Sequence, residues 1–400
     1  MRGLLSLLVA LVLLLSSAEG KPLNGTLIRK GTADPCLIYR DGQLYLTMTG
    51  ASRLALIKDS SLAHLSSDHH KLNDNIIYNS KLDPSIEALF GEGATINGTW
   101  SPEIHYISEE DFPGMSVWYL SFALRKRVIE GDRVSSRAIK TVVLKSLSGA
   151  IEGPYVNPTT CAKHHSQPLL NESGEVLGEW CVGARILRIP SGQHRGIYLT
   201  WVEETGRGEG VGKFYQKIMI SKMASPWQLK GERGVVTTPT QKWEFRGSSK
   251  RHPRVVEGGT AVYGEKGEVY MIYSGSGYWS DYGLGQLTLR REGGDYANPL
   301  EQESWVKYAQ NPIFSSVGSD QLRGAGHAFF LEDGKGKRFF CYHAYPLVDG
   351  KKAKIRNAYI EPYRIDYSEI TPSSPEGVFR MGKRGDGKCA PTHSKIKFKY

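Results

Sequence analysis

Two carboxyl-bearing residues open short strand-like runs and could together cleave a glycosidic bond. Asp34 begins the run Asp34-Pro35-Cys36-Leu37-Ile38-Tyr39, and Glu257 begins Glu257-Gly258-Gly259-Thr260. Hydrolysis of an acetal needs one carboxylic acid to protonate the leaving oxygen and one carboxylate to activate water or attack carbon. Pro35 fixes the turn after Asp34, and the glycines after Glu257 leave room for a ligand near the backbone. Glu103, in Trp100-Ser101-Pro102-Glu103-Ile104-His105, pairs a carboxylate with an aromatic ring. That combination suits a sugar, whose C–H face stacks on the ring while its hydroxyls donate to the carboxylate. Trp279, next to Tyr278 in a Gly-rich loop, offers a second stacking surface, and His327 lies in Gly324-Ala325-Gly326-His327.

Taken singly, each residue has a plainer reading as a turn former, a core aromatic or a satisfied core histidine. Their spacing argues otherwise. An aromatic strand recurs around Tyr45, Tyr119, Tyr198, Tyr270 and Phe339, in steps of about 70–80 residues. Before each lies a second strand-like run, and Asp34, Glu103, Gly183, Glu257 and His327 fall at matched places in those runs. Third strands follow at Leu54–Lys58, Val142–Ser146, Ile218–Lys222, Gln286–Arg290 and Ala358–Tyr363. Repeats with room for four strands read as propeller blades, so the expected fold is all-β, a five-bladed β-propeller. The first strand of each blade lines the central channel, which would bring the matched residues to one axis.

Residues 1–20 read as a secretory signal: Arg2, then an apolar run from Leu4 to Leu15, then Ala18-Glu19-Gly20. The run is too short to cross a bilayer, and no later run is long enough. Asn24, Asn97 and Asn171 sit in glycosylation sequons that fit export. The expected organisation is a propeller over residues 21–368 and a basic tail over 369–400. The net charge is +10. It suits acidic glycan or a solvated tail, and no nucleic-acid motif accompanies it. Of five cysteines, Cys161 and Cys181 flank one loop and are the expected pair, whereas Cys36 and Cys341 fall in core strands.

Together these motifs resemble glycoside hydrolase family 43, whose members are five-bladed propellers and inverting glycosidases. Ala33-Asp34-Pro35 is similar to the family's general-base motif, and Val256-Glu257-Gly258 to its general-acid site. The Trp100–His105 run and Gly324–His327 resemble two further family segments. The resemblance implies that His327 touches a calcium or its water shell in the channel, and that Trp279 and Arg356 contact substrate. It implies an α-L-arabinofuranosidase or β-xylosidase with no required cofactor. It also exposes a departure: where the family carries a third carboxylate that raises the acid's pKa, this chain has Gly183, with Arg185 two residues on and on the same strand face. The alternative expectation is therefore a propeller that binds glycan without turning it over efficiently.

Overall fold

The computed structural model describes residues 26–382 except 67–68, 74, 128–138, 179, 370 and 372–375. The signal segment, Asn24 and most of the basic tail lie outside these residues.

Five antiparallel sheets follow one another along the chain as the blades of a propeller. Blade 1 runs Cys36–Arg40, Gln43–Thr47, Arg53–Asp59 and Ile76–Asn79. Blade 2 runs Ile96–Ile107, Val117–Lys126 and Ile139–Ser146, edged by Tyr155–Val156 and Gln167–Pro168. Blade 3 runs Val182–Ile189, Gly196–Thr205, Tyr215–Ser225 and Gln228–Thr237. Blade 4 runs Val256–Tyr263, Val269–Gly275 and Gly283–Leu289, edged by Trp305–Lys307 and Phe314–Ser315. Blade 5 is Leu322–Glu332, Arg338–Val348 and Asn357–Asp366. Each third strand expected from the repeats is present.

Both faces of a blade pack against neighbours, so its middle strands are apolar throughout rather than alternating. Val-Tyr-Met-Ile-Tyr-Ser-Gly at Val269–Gly275 is buried at every position. The apolar side chains collect into clusters between successive blades. Leu37, Leu44 and Leu46 of blade 1 meet Phe339, Cys341 and Ile360 of blade 5, while Tyr270 and Ile272 of blade 4 meet Phe340 and Tyr342 of blade 5.

The chain ends close the ring. Thr26–Arg29 pairs antiparallel with Asn357–Asp366, so the N-terminal strand completes the last blade. A further strand, Val378–Met381, pairs with the far end of that same strand, Tyr363 opposite Met381 and Asp366 opposite Val378. This moves the expected tail boundary at residue 369. Val378, Phe379 and Met381 are buried in the core beside Tyr270 and Phe340, and only the residues after 382 retain tail-like composition. The short Val-Phe-Arg-Met run carries too little periodicity to stand out among its Pro, Ser and Gly neighbours.

The cysteine expectation is corrected. Cys161 is exposed and Cys181 fully buried, and both are free. Sequence proximity across a loop does not bring the two side chains together, because Cys181 packs inward beside Leu199 and Trp201. Cys36 and Cys341 are buried and free, as small core residues. Among the described residues, no helix is long and apolar enough to cross a membrane.

Candidate active site

One irregularity repeats in, or just before, every inner strand and sets the site. Asp34, Ser101, Gly183, Gly258 and His327, one per blade, hold φ between 48° and 64°. In blades 2 to 5 this left-handed residue coincides with a break in strand register, flanked by Trp100/Glu103, Val182/Arg185, Glu257/Thr260 and Gly326/Phe329. A bulge of this kind re-aims the neighbouring side chains. It also revises the expected correspondence. Asp34, Gly183 and His327 are equivalent, but Glu257 precedes its blade's left-handed residue and Glu103 lies two residues beyond its own.

That difference separates the two glutamates. A cavity of about 330 Å³ is lined by Asp34, Trp100, Glu257, Trp279, His327 and Arg356, among others. Glu103 is not in its lining. It is buried and pairs at 2.7 Å with Arg185, which is equally buried. Arg185 Nη1 donates to the carbonyls of Gly258 at 3.1 Å and Ala328 at 2.8 Å. This one guanidinium therefore joins blades 2, 3, 4 and 5. Its Nε and Nη2 have no well-aligned acceptor, although Nη2 is the atom nearest Glu103. Burial raises the Glu103 carboxyl to about 7 against the pull of Arg185. Arg185 thus meets Glu103.

Asp34 sits among polar partners, and its own N–H donates to His343 Nδ1 at 3.1 Å. Thr49 Oγ1 donates to its Oδ2 at 2.5 Å and is itself held by the Ser101 N–H at 2.9 Å. Around Oδ1 stand His343 Nδ1 at 3.2 Å, Arg356 Nη1 at 3.5 Å and His327 Nδ1 at 3.6 Å. Burial pushes the Asp34 carboxyl up, but His327, Arg356 and His343 outweigh it and hold the group well below the usual carboxylate range. Burial drives the imidazoles of His327 and His343 down to about 3 and about 4. At neutral pH the lasting positive charge on Asp34 is therefore Arg356.

Glu257 is treated oppositely. Burial, with the charge of Asp34 behind it, raises its carboxyl to about 7, although the Tyr282 hydroxyl, Gln216 and Arg356 pull it down. Tyr282 Oη donates to Glu257 Oε1 at 2.7 Å, and its ring stacks on His343 with centroids 5.6 Å apart. Gly326 is what admits that ring, because a Cβ there would come within 2.3 Å of it. The raised acid does not depend on a third carboxylate. Gly183 leaves open space, with nothing within 4 Å of where its Cβ would be.

Aromatic groups form the mouth. Trp279 Nε1 donates to the Gly247 carbonyl, its own carbonyl accepts from Lys352, and the His252 ring lies 4.6 Å away. The Arg356 guanidinium lies 4.8 Å over Tyr278. Sequence reasoning missed Thr49, Tyr282, His343, Glu204 and Gln216. His343 lies inside the apolar strand Arg338–Val348, and a histidine in the middle of such a strand was the one available signal.

His327 Nε2 is buried with no partner. Among the described residues, no group of three or more His, Cys, Asp or Glu side chains could hold a metal ion. The donor set does not fit a metal centre built from side chains, and no step is assigned to calcium.

Residues 25–369 match the glycosyl hydrolases family 43. The chain belongs to that family. It is 27% identical over 309 residues to an alpha-L-arabinofuranosidase 43 of Humicola insolens, covering 76% of this chain and 52% of the relative. It is 28% identical over 319 residues to an extracellular exo-alpha-(1->5)-L-arabinofuranosidase of Streptomyces avermitilis, covering 78% and 54%. The chain thus spans about half the length of the curated relatives it matches. The fold is shared with an alpha-L-arabinofuranosidase from Lactobacillus brevis, at TM-score 0.62 and 20% identity over 88% of this chain and 95% of that one.

Proposed function

We propose that this family 43 chain is a secreted, inverting exo-glycosidase that releases a terminal sugar, α-L-arabinofuranose in the first instance, from plant-type poly- or oligosaccharide. The observation that carries the reading is the divergence of two carboxyls in one cavity, Asp34 held well below its usual pKa and Glu257 raised to about 7. Pairs of titratable groups pushed apart in this way mark an acid and a base. Asp34, ionised, takes a proton from water as the water attacks the anomeric carbon. Glu257, protonated, gives its proton to the leaving oxygen, so one proton is gained as one is lost. Trp100, Trp279 and His327 hold the sugar, and Arg356 fixes Asp34.

A cavity of about 330 Å³ supports action on a terminal sugar. The names of the two curated relatives favour the arabinofuranoside over the xyloside. Secretion rests on residues 1–20 and on the extracellular designation of the Streptomyces relative.

The test is turnover of aryl α-L-arabinofuranoside and aryl β-D-xyloside by residues 21–400 between about pH 4 and 8, with the product anomer followed by NMR. Glu257→Gln should lower turnover on the order of a hundred- to ten-thousandfold while sugar binding persists. No release from either substrate, by protein that still binds arabinose-containing glycan, would favour the glycan-binding alternative that Gly183 motivates.

A further inference from the structure

Two further hollows, of about 380 Å³ and 1030 Å³, adjoin the catalytic cavity on the side of blades 1 and 2. Thr49, which bonds Asp34, lines both the catalytic cavity and the first of them. Ser52 and Lys81 line both the first and the second. The three hollows therefore abut in one file, a groove that leads from Asp34 out between blades 1 and 2 as far as Asn97 and Arg127. Backbone bonds fix its floor. Gly50 and Thr99 each donate an N–H to the other's carbonyl at 2.9 Å, and the Ser80 N–H donates to the Ser52 carbonyl at 2.9 Å. Gly50 is needed at that crossing, because a Cβ would come within 2.0 Å of the Arg53 carbonyl oxygen. A groove held in this way needs no ordering when a ligand arrives.

The walls combine positive charge with apolar surface. Arg53, Lys81 and Arg127 are exposed along the groove, and among the described residues none of the three has an acidic partner. Of the two carboxylates in the lining, Asp83 is turned into the protein, where it takes the hydroxyls of Tyr78, Ser85 and Ser166. Glu87 remains, and it accepts the Gly93 N–H at 3.2 Å. Between the cations, Leu72, Ile76 and Leu82 are exposed in the same lining. Guanidinium and ammonium groups take carboxylates, and apolar side chains cover the C–H faces of sugar rings.

We propose that this groove binds a uronate-containing polysaccharide main chain, with Arg53, Lys81 and Arg127 on its carboxylates, while the terminal sugar enters the catalytic cavity as a branch of that chain. The inference rests on the glycosidase reading of the cavity, and it adds the class of chain that carries the sugar. Continuity with the catalytic cavity is what selects a polysaccharide over other anionic partners, because the groove begins at the residue that holds Asp34. Exposed ion pairs are individually weak and are screened by salt, so discrimination comes from several of them along one chain. A neutral chain of the same shape keeps the apolar contacts and loses the ionic ones.

The test compares an arabinofuranose-branched uronate oligosaccharide with the same material after its carboxyls are reduced to alcohols. The protein is made without N-glycans, because Asn97 borders the groove. Wild type should favour the acidic form in kcat/KM on the order of tenfold at about 50 mM salt, through KM, and should lose most of that preference at about 500 mM. The triple variant Arg53→Gln/Lys81→Gln/Arg127→Gln should bring the ratio between the two substrates to about one. A variant that merely folds poorly would lower both rates and keep the ratio. Calorimetry with an unbranched uronate oligosaccharide should show binding to wild type that weakens on the order of tenfold in the triple variant. A ratio near one in wild type, or a preference that the triple variant keeps, overturns the proposal. Should wild type release sugar from no glycoside, the glycosidase reading fails and the calorimetry still decides the groove: binding equal in wild type and variant, or absent from both, overturns it.

Discussion

Replacing Tyr282 by Phe isolates one force on the acid. Tyr282 is fully buried, and its ring is stacked on His343, so Phe keeps the packing and removes only the hydroxyl. That hydroxyl donates at 2.7 Å to Glu257 Oε1 and favours the ionised carboxyl. A hydrogen bond to a charged group contributes about 1.5–3 kcal/mol, which at 1.36 kcal/mol per pH unit is a shift of about 1–2 units. The sign is upward: without the donor, Glu257 holds its proton to higher pH. The acid is raised to about 7 in the wild type, so at pH 8 roughly a tenth of it is protonated. After the shift a half to nine-tenths would be, roughly five- to tenfold more competent acid at that pH. The assay is kcat/KM against pH with an aryl arabinofuranoside, reading the alkaline limb. A limb that stays in place or moves down would refute the account of how Glu257 is tuned. So would a uniform loss of rate at every pH, which would mean that Tyr282 only packs.

Two further outcomes follow from the axis. Arg185→Met should destabilise the protein by about 3–5 kcal/mol in urea unfolding, because it leaves Glu103 buried and unpaired. The double variant Glu103→Leu/Arg185→Met should recover most of that loss, and a single variant within about 1 kcal/mol of wild type would show that the pair does not hold the blades. Gly183→Asp should fold with a cost of about 1–2 kcal/mol, since its φ of +64° is one that Asp34 already adopts and its Cβ meets open space. A carboxylate placed there should raise the alkaline limb of the pH profile by about one unit, and a folded variant with an unmoved limb would show that the position no longer addresses Glu257.

The sequence by itself determined the fold, and its repeats pointed to Asp34 and Glu257 as neighbours, which line one cavity. Pairs of apolar, aromatic-rich strands punctuated by Gly and Pro are local chemistry, and their repetition along the chain leaves a propeller as the closed solution. Asp34, Glu257, Trp100, Trp279, His327 and Arg356 were legible because they recur at strand starts or lie in loops beside them. Tertiary structure decided the rest. Whether a residue near a strand start faces the cavity depends on which side of the left-handed bulge it falls, and a one- or two-residue offset sends Glu257 into the cavity and Glu103 into an ion pair with Arg185. Glu204, Gln216, Tyr282 and His343 reach the site from second and third strands or the loops between them, where nothing in spacing marks them. The closing strands Thr26–Arg29 and Val378–Met381 are set by their partner, Asn357–Asp366, not by their own short patterns. The pKa values of Asp34 and Glu257 arise from burial and from charges hundreds of residues away in the chain, such as Arg356 on Asp34, and only the folded arrangement brings those together.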